Sequence, residues 1–204
     1  SGSYTVSTLP SEILSDISYG LTTVKKDGSI APAAADYKIT NDGKTITFSL
    51  QKNLTFSNKK PFTTKDIPYT FKDVKKEIKD PYTISFHVST PYAPFLSVVS
   101  KPILQGNYGL SDFQIIKTEQ NAGFLESIKL QNKKTGDTKV IYFYPTQDSL
   151  KTAFLLGEVD TVKNLSANSN PDTYFKDFKN VKVSKQVNYD VLVSAFFNTI
   201  DNTL

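Results

Sequence analysis

The chain has 204 residues, 38% of them hydrophobic and 22% charged, which is ordinary for a globular protein and enough to bury a core. It contains no cysteine and one histidine, His87, so disulfides, thiolate metal sites and thiol nucleophiles are excluded and imidazole chemistry rests on a single group. The formal charge is +4, yet all 24 basic residues are lysine, scattered and without arginine's planar fork, so the charge reads as a solvated surface rather than a nucleic-acid interface.

In chain order, the first strong signal is a hairpin. Tyr37 to Thr40 and Lys44 to Leu50 flank Asn41-Asp42-Gly43, a turn in which Gly accepts positive φ. In the second strand Ile46, Phe48 and Leu50 alternate with Thr45, Thr47 and Ser49, which predicts one buried and one wet face. Near Thr64 a second, weaker helix can begin, but Pro68 limits it to a turn or makes it start later. The two-residue period returns at Ile84, Phe86 and Val88, which places His87 on the polar face with Thr83 and Ser85.

A second hairpin is expected to join Phe124 to Gln131 with Lys139 to Tyr144 through the turn at Lys133 to Asp137. Asp148 to Leu156 predicts a helix, with Thr146 or Asp148 as N-cap, Leu150, Ala153 and Phe154 as its apolar stripe and Gly157 as C-cap. Val159 to Val162 then reads as a short strand completing a βαβ unit, and two late strands are expected at Val181 to Val187 and Val191 to Phe197. The fold class expected is α/β or mixed α+β. No run approaches the ~18 apolar residues that a spanning helix needs.

Catalytic templates are not matched. The sequence has no G-x-S-x-G, H-E-x-x-H, Walker loop or G-x-G-x-x-G. A triad would have to use His87, and the one acidic pair, Glu158 and Asp160, sits in a helix-to-strand turn where carboxylates bond to backbone and water. No enzyme, no metal and no cofactor is expected. The eleven tyrosines offer apolar rings with polar tips, suited to binding.

Several segments, taken in order, resemble the family 5 extracellular solute-binding proteins, the dipeptide and oligopeptide receptors of ABC importers. They are Ile17-Ser18-Tyr19-Gly20-Leu21, Asp27-Gly28-Ser29-Ile30-Ala31-Pro32, Asn41-Asp42-Gly43-Lys44-Thr45-Ile46-Thr47-Phe48, Leu54-Thr55-Phe56-Ser57-Asn58 and Pro61-Phe62-Thr63-Thr64-Lys65-Asp66-Ile67. The likeness resumes at Asp80 to Val88, Pro91-Tyr92-Ala93-Pro94-Phe95-Leu96, Ala153 to Asp160 and Phe196-Phe197-Asn198-Thr199. It departs where the family carries a helical insertion, since Val74 and Asp80 are nearly adjacent here, and where a glycine-rich signature is reduced to Gly106-Asn107-Tyr108-Gly109-Leu110.

The resemblance implies a periplasmic-binding-protein type II lobe. Residues 1–21 and 105–204 would form its α/β core, and 22–104 a β-rich inserted subdomain. It implies N-terminal lobe sequence only, with the second lobe absent from this chain. The implied function is capture of peptides or similar small solutes by hinge closure outside the membrane, at the cell surface or in the periplasm, with a lipid anchor outside this sequence. The implied partners are the solute and the importer's permease subunits, and the implied ligand-binding residues are Tyr19, Gly20, Tyr108, Gly109 and Asn198. The alternative reading is a surface structural or adhesive module that uses the lobe fold without transport.

Overall fold

The computed structural model describes residues 6–25, 27–163, 165 and 180–184. The chain divides into two units, Ser1–Phe143 and Tyr144–Leu204.

The first unit opens with a 3-10 turn at Val6–Thr8 and helix α1 at Ser11–Ile17. Pro10 stands at the N-cap with φ −52° and ψ 145°, and Glu12 complements the positive end of the dipole. Ile13 and Ile17, four apart, put two branched side chains on one buried face. The helix stops where Ser18 becomes extended.

Among the described residues nine strands follow, in three antiparallel sheets. Strands β1 (Thr22–Val24) and β2 (Ile30–Pro32) form a small ribbon. Strands β3 (Ala35–Thr40), β4 (Thr45–Leu50), β5 (Val74–Asp80) and β6 (Thr83–Val88) form a sheet in the order β3-β4-β6-β5. A 3-10 turn at Thr64–Asp66 lies between β4 and β5, and helix α2 (Phe95–Val98) follows β6. Strands β7 (Phe113–Asn121), β8 (Phe124–Asn132) and β9 (Thr138–Tyr142) make the third sheet in sequence order. The expected mixed class is the observed one.

Both expected hairpins are present. Asn41, Asp42 and Gly43 have φ of 55°, 49° and 83°, so the turn at β3–β4 uses the left-handed region three times. Ile46, Phe48 and Leu50 are buried as their alternation predicts. On the opposite face His87 Nε2 bonds Glu77 Oε2 at 2.8 Å and Nδ1 bonds Thr45 Oγ1 at 3.2 Å. Ser85 on that face is buried, in a 2.9 Å hydroxyl pair with Thr47. Near Thr64 the chain makes one turn only, held by Thr63 N–H donating to Asp66 Oδ2 at 2.9 Å, before Pro68 ends it.

Two apolar cores hold this unit. The first gathers Leu21, Phe48, Phe56, Phe62, Ile84, Phe86, Phe95 and Ile103, with edge-on ring pairs such as Phe56–Phe62 at 5.7 Å. The second joins Val6, Leu9, Ile13 and Ile17 to Ile128 and Leu130 of β8. An ion pair between Lys139 of β9 and Asp16 of α1 flanks it.

The second unit contains helix α3 at Gln147–Leu155. Thr146 is its N-cap, accepting from Ser149 N–H at 3.1 Å, and Gly157 takes φ 75° beyond the last turn, with Glu158 N–H closing onto Ala153 O at 2.9 Å. The strand expected at Val159 to Val162 does not form, and the βαβ unit built on it is withdrawn. A strand needs a neighbouring ladder for its N–H and C=O groups, and the described residues provide none there. Residues 181–184 have no regular structure. The remainder of the strand expected to Val187, and the one at Val191 to Phe197, lie outside the described residues.

Candidate functional site

The segment after α1 runs beside the segment after α2 as an irregular ladder. Leu21 N–H donates to Val99 O at 2.9 Å, Ile103 N–H to Tyr19 O at 3.1 Å and Ser111 N–H to Ile17 O at 3.0 Å. Ser18 reinforces it from within. Its buried hydroxyl donates to Ile103 O and accepts from Leu110 N–H at 3.1 Å. A third segment joins where Ser57 N–H donates to Gly109 O at 2.8 Å.

Two glycines make this approach possible. A Cβ on Gly20 would lie 2.4 Å from Val99 O, and one on Gly109 would lie 2.2 Å from Ile17 O and 2.7 Å from Ser18 Cβ. Neither has positive φ, so contact distance rather than backbone conformation demands glycine at both. Both glycines thus have a packing role in the junction.

Two tyrosines belong to the junction. Tyr19 is half-buried and packs on the first core. Burial raises its phenol above the ordinary value, and the Asp112 carboxylate adds to the rise, so it stays a neutral hydrogen-bonding group at physiological pH. Tyr108 is 45% exposed. It is held in a tight turn around Gly106, whose φ is 60°, by paired bonds between its backbone and that of Gln105 at 2.9 and 3.1 Å. Asn58 Nδ2 reaches Gln105 Oε1 at 3.4 Å. Asp112 pairs with Lys134 at 3.1 Å.

Four of the five expected site residues, Tyr19, Gly20, Tyr108 and Gly109, therefore meet at one junction, and Asn198 lies outside the described residues. Ser18 and Ser57 belong to the same junction and were not anticipated. Neither has a local sequence signal, because their partners lie dozens of residues away. Among the described residues no group of three His, Cys, Asp or Glu side chains is placed to hold a metal ion.

The fold is that of a lobe of a type II periplasmic binding protein, shared with solved structures of that class. One is NikA from Brucella suis in complex with Fe(III)-EDTA, with a TM-score of 0.68 and 16% identity over 81% of this chain and 42% of that one. Another is OppA from Haemophilus influenzae in complex with RPPGFSPFR, with a TM-score of 0.67 and 17% identity over 82% of this chain and 44% of that one.

Within this class the chain resembles one family in sequence as well. Residues 29–79 match the bacterial extracellular solute-binding proteins, family 5 (middle region), the resemblance that the motifs between Ile17 and Ile67 carry. The dipeptide-binding protein DppE of Bacillus subtilis is 30% identical where the two align, over 44% of this chain and 22% of its own length. The chain thus spans about a fifth of that curated relative and about two fifths of the solved structures.

Proposed function

We propose that this chain is part of the solute-capturing receptor of an ABC-type peptide importer and catalyses no reaction. The observation that carries the reading is the 30% identity to a dipeptide-binding protein. The segments at Ile17–Leu21 and Gly106–Leu110 converge on a junction of fixed backbone and two tyrosines. In this reading 22–104 is a β-rich subdomain inserted in a lobe core of 1–21 and 105–204. The second apolar core, which joins 6–17 to β8, supports that division, while Leu21 and Leu110 pack in the first core with residues of 22–104.

The ligand would lie against Tyr19, Gly20, Tyr108 and Gly109. An extended peptide offers one N–H and one C=O per residue, and neutral tyrosine hydroxyls and side-chain amides match those groups without selecting side chains. Closure of a second wall over the peptide would exclude water and present a docking surface to the permease subunits. The site of action would be the extracellular face of the membrane or the periplasm, with a lipid anchor outside this sequence. Among the described residues no helix is long and apolar enough to cross a membrane.

A second reading, capture of a metal chelate, is favoured by the likeness of fold to NikA, solved with Fe(III)-EDTA. Calorimetric titration of the natural polypeptide that carries this chain, with di- to pentapeptides and with ferric and nickel chelates, separates the two. Saturable binding of peptides and none of chelates is expected. Saturation by a chelate alone would replace the first reading with the second.

A further inference from the structure

Among the described residues, the Ser57 hydroxyl is sealed from solvent and has no hydrogen-bond partner. The residue is 7% exposed, and its own N–H is already committed to Gly109 O. A buried hydroxyl without a partner is unfavourable, whereas a methyl in its place is not, so such a group in a folded protein calls for an explanation.

The surroundings bear on it. Ser57 lies next to the turn formed by Gln105, Gly106, Asn107 and Tyr108, its backbone bonded to the next residue, Gly109. Gly106, Asn107 and Tyr108 are exposed, and a Cβ on Gly106 would meet nothing within 4 Å, so the turn has room to shift. Its side-chain tether to the Ser57 segment, Asn58 Nδ2 to Gln105 Oε1, is long at 3.4 Å. The ladder beyond it is fixed by Ser18 and by the two close-packed glycines. The turn and the Asn58 tether are therefore the least constrained part of the junction.

We infer that Ser57 is a solute-responsive residue of this site, whose hydroxyl gains a main-chain amide of the bound peptide as its partner when the 105–108 turn moves aside. The inference rests on the peptide reading above. Because a hydroxyl both donates and accepts, it can serve either an N–H or a C=O of the peptide and adds no side-chain selectivity.

The test compares the natural polypeptide with its Ser57→Ala variant, using trialanine as probe, by calorimetry and thermal unfolding. The expected result is a variant whose ligand-free Tm is equal or higher, with trialanine affinity lower by about five- to twenty-fold, the loss of one hydrogen bond made only in the complex. Affinity within two-fold of the parent would overturn the inference while leaving the peptide reading intact. A lower ligand-free Tm would also overturn it, since the hydroxyl would then have a partner without ligand. If the parent binds neither trialanine nor any other di- to pentapeptide, the peptide reading fails and the inference fails with it.

Discussion

The Tyr69 hydroxyl reaches the carbonyl oxygen of Val99 at 2.9 Å, the same oxygen that receives Leu21 N–H in the ladder beside the candidate site. It shares its proton with Lys101 O as well. One buried phenol thus ties the first core to the segment that carries the junction.

Burial pushes the Tyr69 phenol well above its ordinary value of 10.0. A group raised in this way contributes stability that is intact below pH 10 and is lost as pH rises beyond it, because the unfolded chain ionises while the folded one resists. Tyr69→Phe is expected to cost about 1–2 kcal/mol at pH 7, by orphaning part of two buried carbonyls. The gap between parent and variant should narrow above pH 10. Urea unfolding at pH 7 and at pH 10.5 checks both parts, and a gap that widens with pH would contradict the assignment.

Gly109→Ala places a carbon 2.2 Å from a backbone oxygen that helix α1 holds in place. The expected cost is at or above the upper end of the usual ~1–3 kcal/mol for overpacking. Gly106→Ala, in open space at φ 60°, should cost only the left-handed strain of ~1–2 kcal/mol. Thermal unfolding of the two variants side by side measures the difference. Equal losses would mean that contact distance is not what demands glycine at the junction.

On the polar face of the β4–β6–β5 sheet, the hydrogen bond from His87 holds the Glu77 carboxyl below its ordinary value of 4.5, with nearby lysines adding to the effect. A lowered carboxylate contributes stability that is present above pH 4.5 and disappears as pH falls through the folded value. Glu77→Gln should therefore differ from the parent at neutral pH and converge with it in the acid limb. Unfolding midpoints at pH 7, 5, 4 and 3 give the curve. A difference that grows below pH 4 would be inconsistent with this pairing.

The parts of the fold that were legible in the sequence are those fixed by short-range chemistry. Asn41-Asp42-Gly43 declares its turn because Gly43 and two Asx residues tolerate positive φ. Thr146 and Gly157 declare the ends of α3 by the groups they cap. Strand β5 was hidden because Val-Lys-Lys-Glu-Ile-Lys-Asp is almost wholly exposed at a sheet edge and shows no alternation. The β7–β8 turn, Ala122 at φ 48° and Gly123 at φ 83°, was less legible because Ala stands at its first position, where Asn would have strengthened the signal. At the junction, Tyr19, Gly20, Tyr108 and Gly109 were reached through family resemblance. Ser18 and Ser57 were not, because their significance lies in contacts with Leu110 and Gly109 across the fold.

Peptide capture at the Tyr19–Gly109 junction is tested most directly by titrating the 15N-labelled 204-residue chain with trialanine to millimolar concentration and following its amide resonances. The account predicts fast-exchange shifts concentrated at residues 17–21, 57–58 and 105–111, with weak affinity because one wall encloses too little of the ligand. Shifts centred elsewhere, or none at saturating peptide, would contradict it.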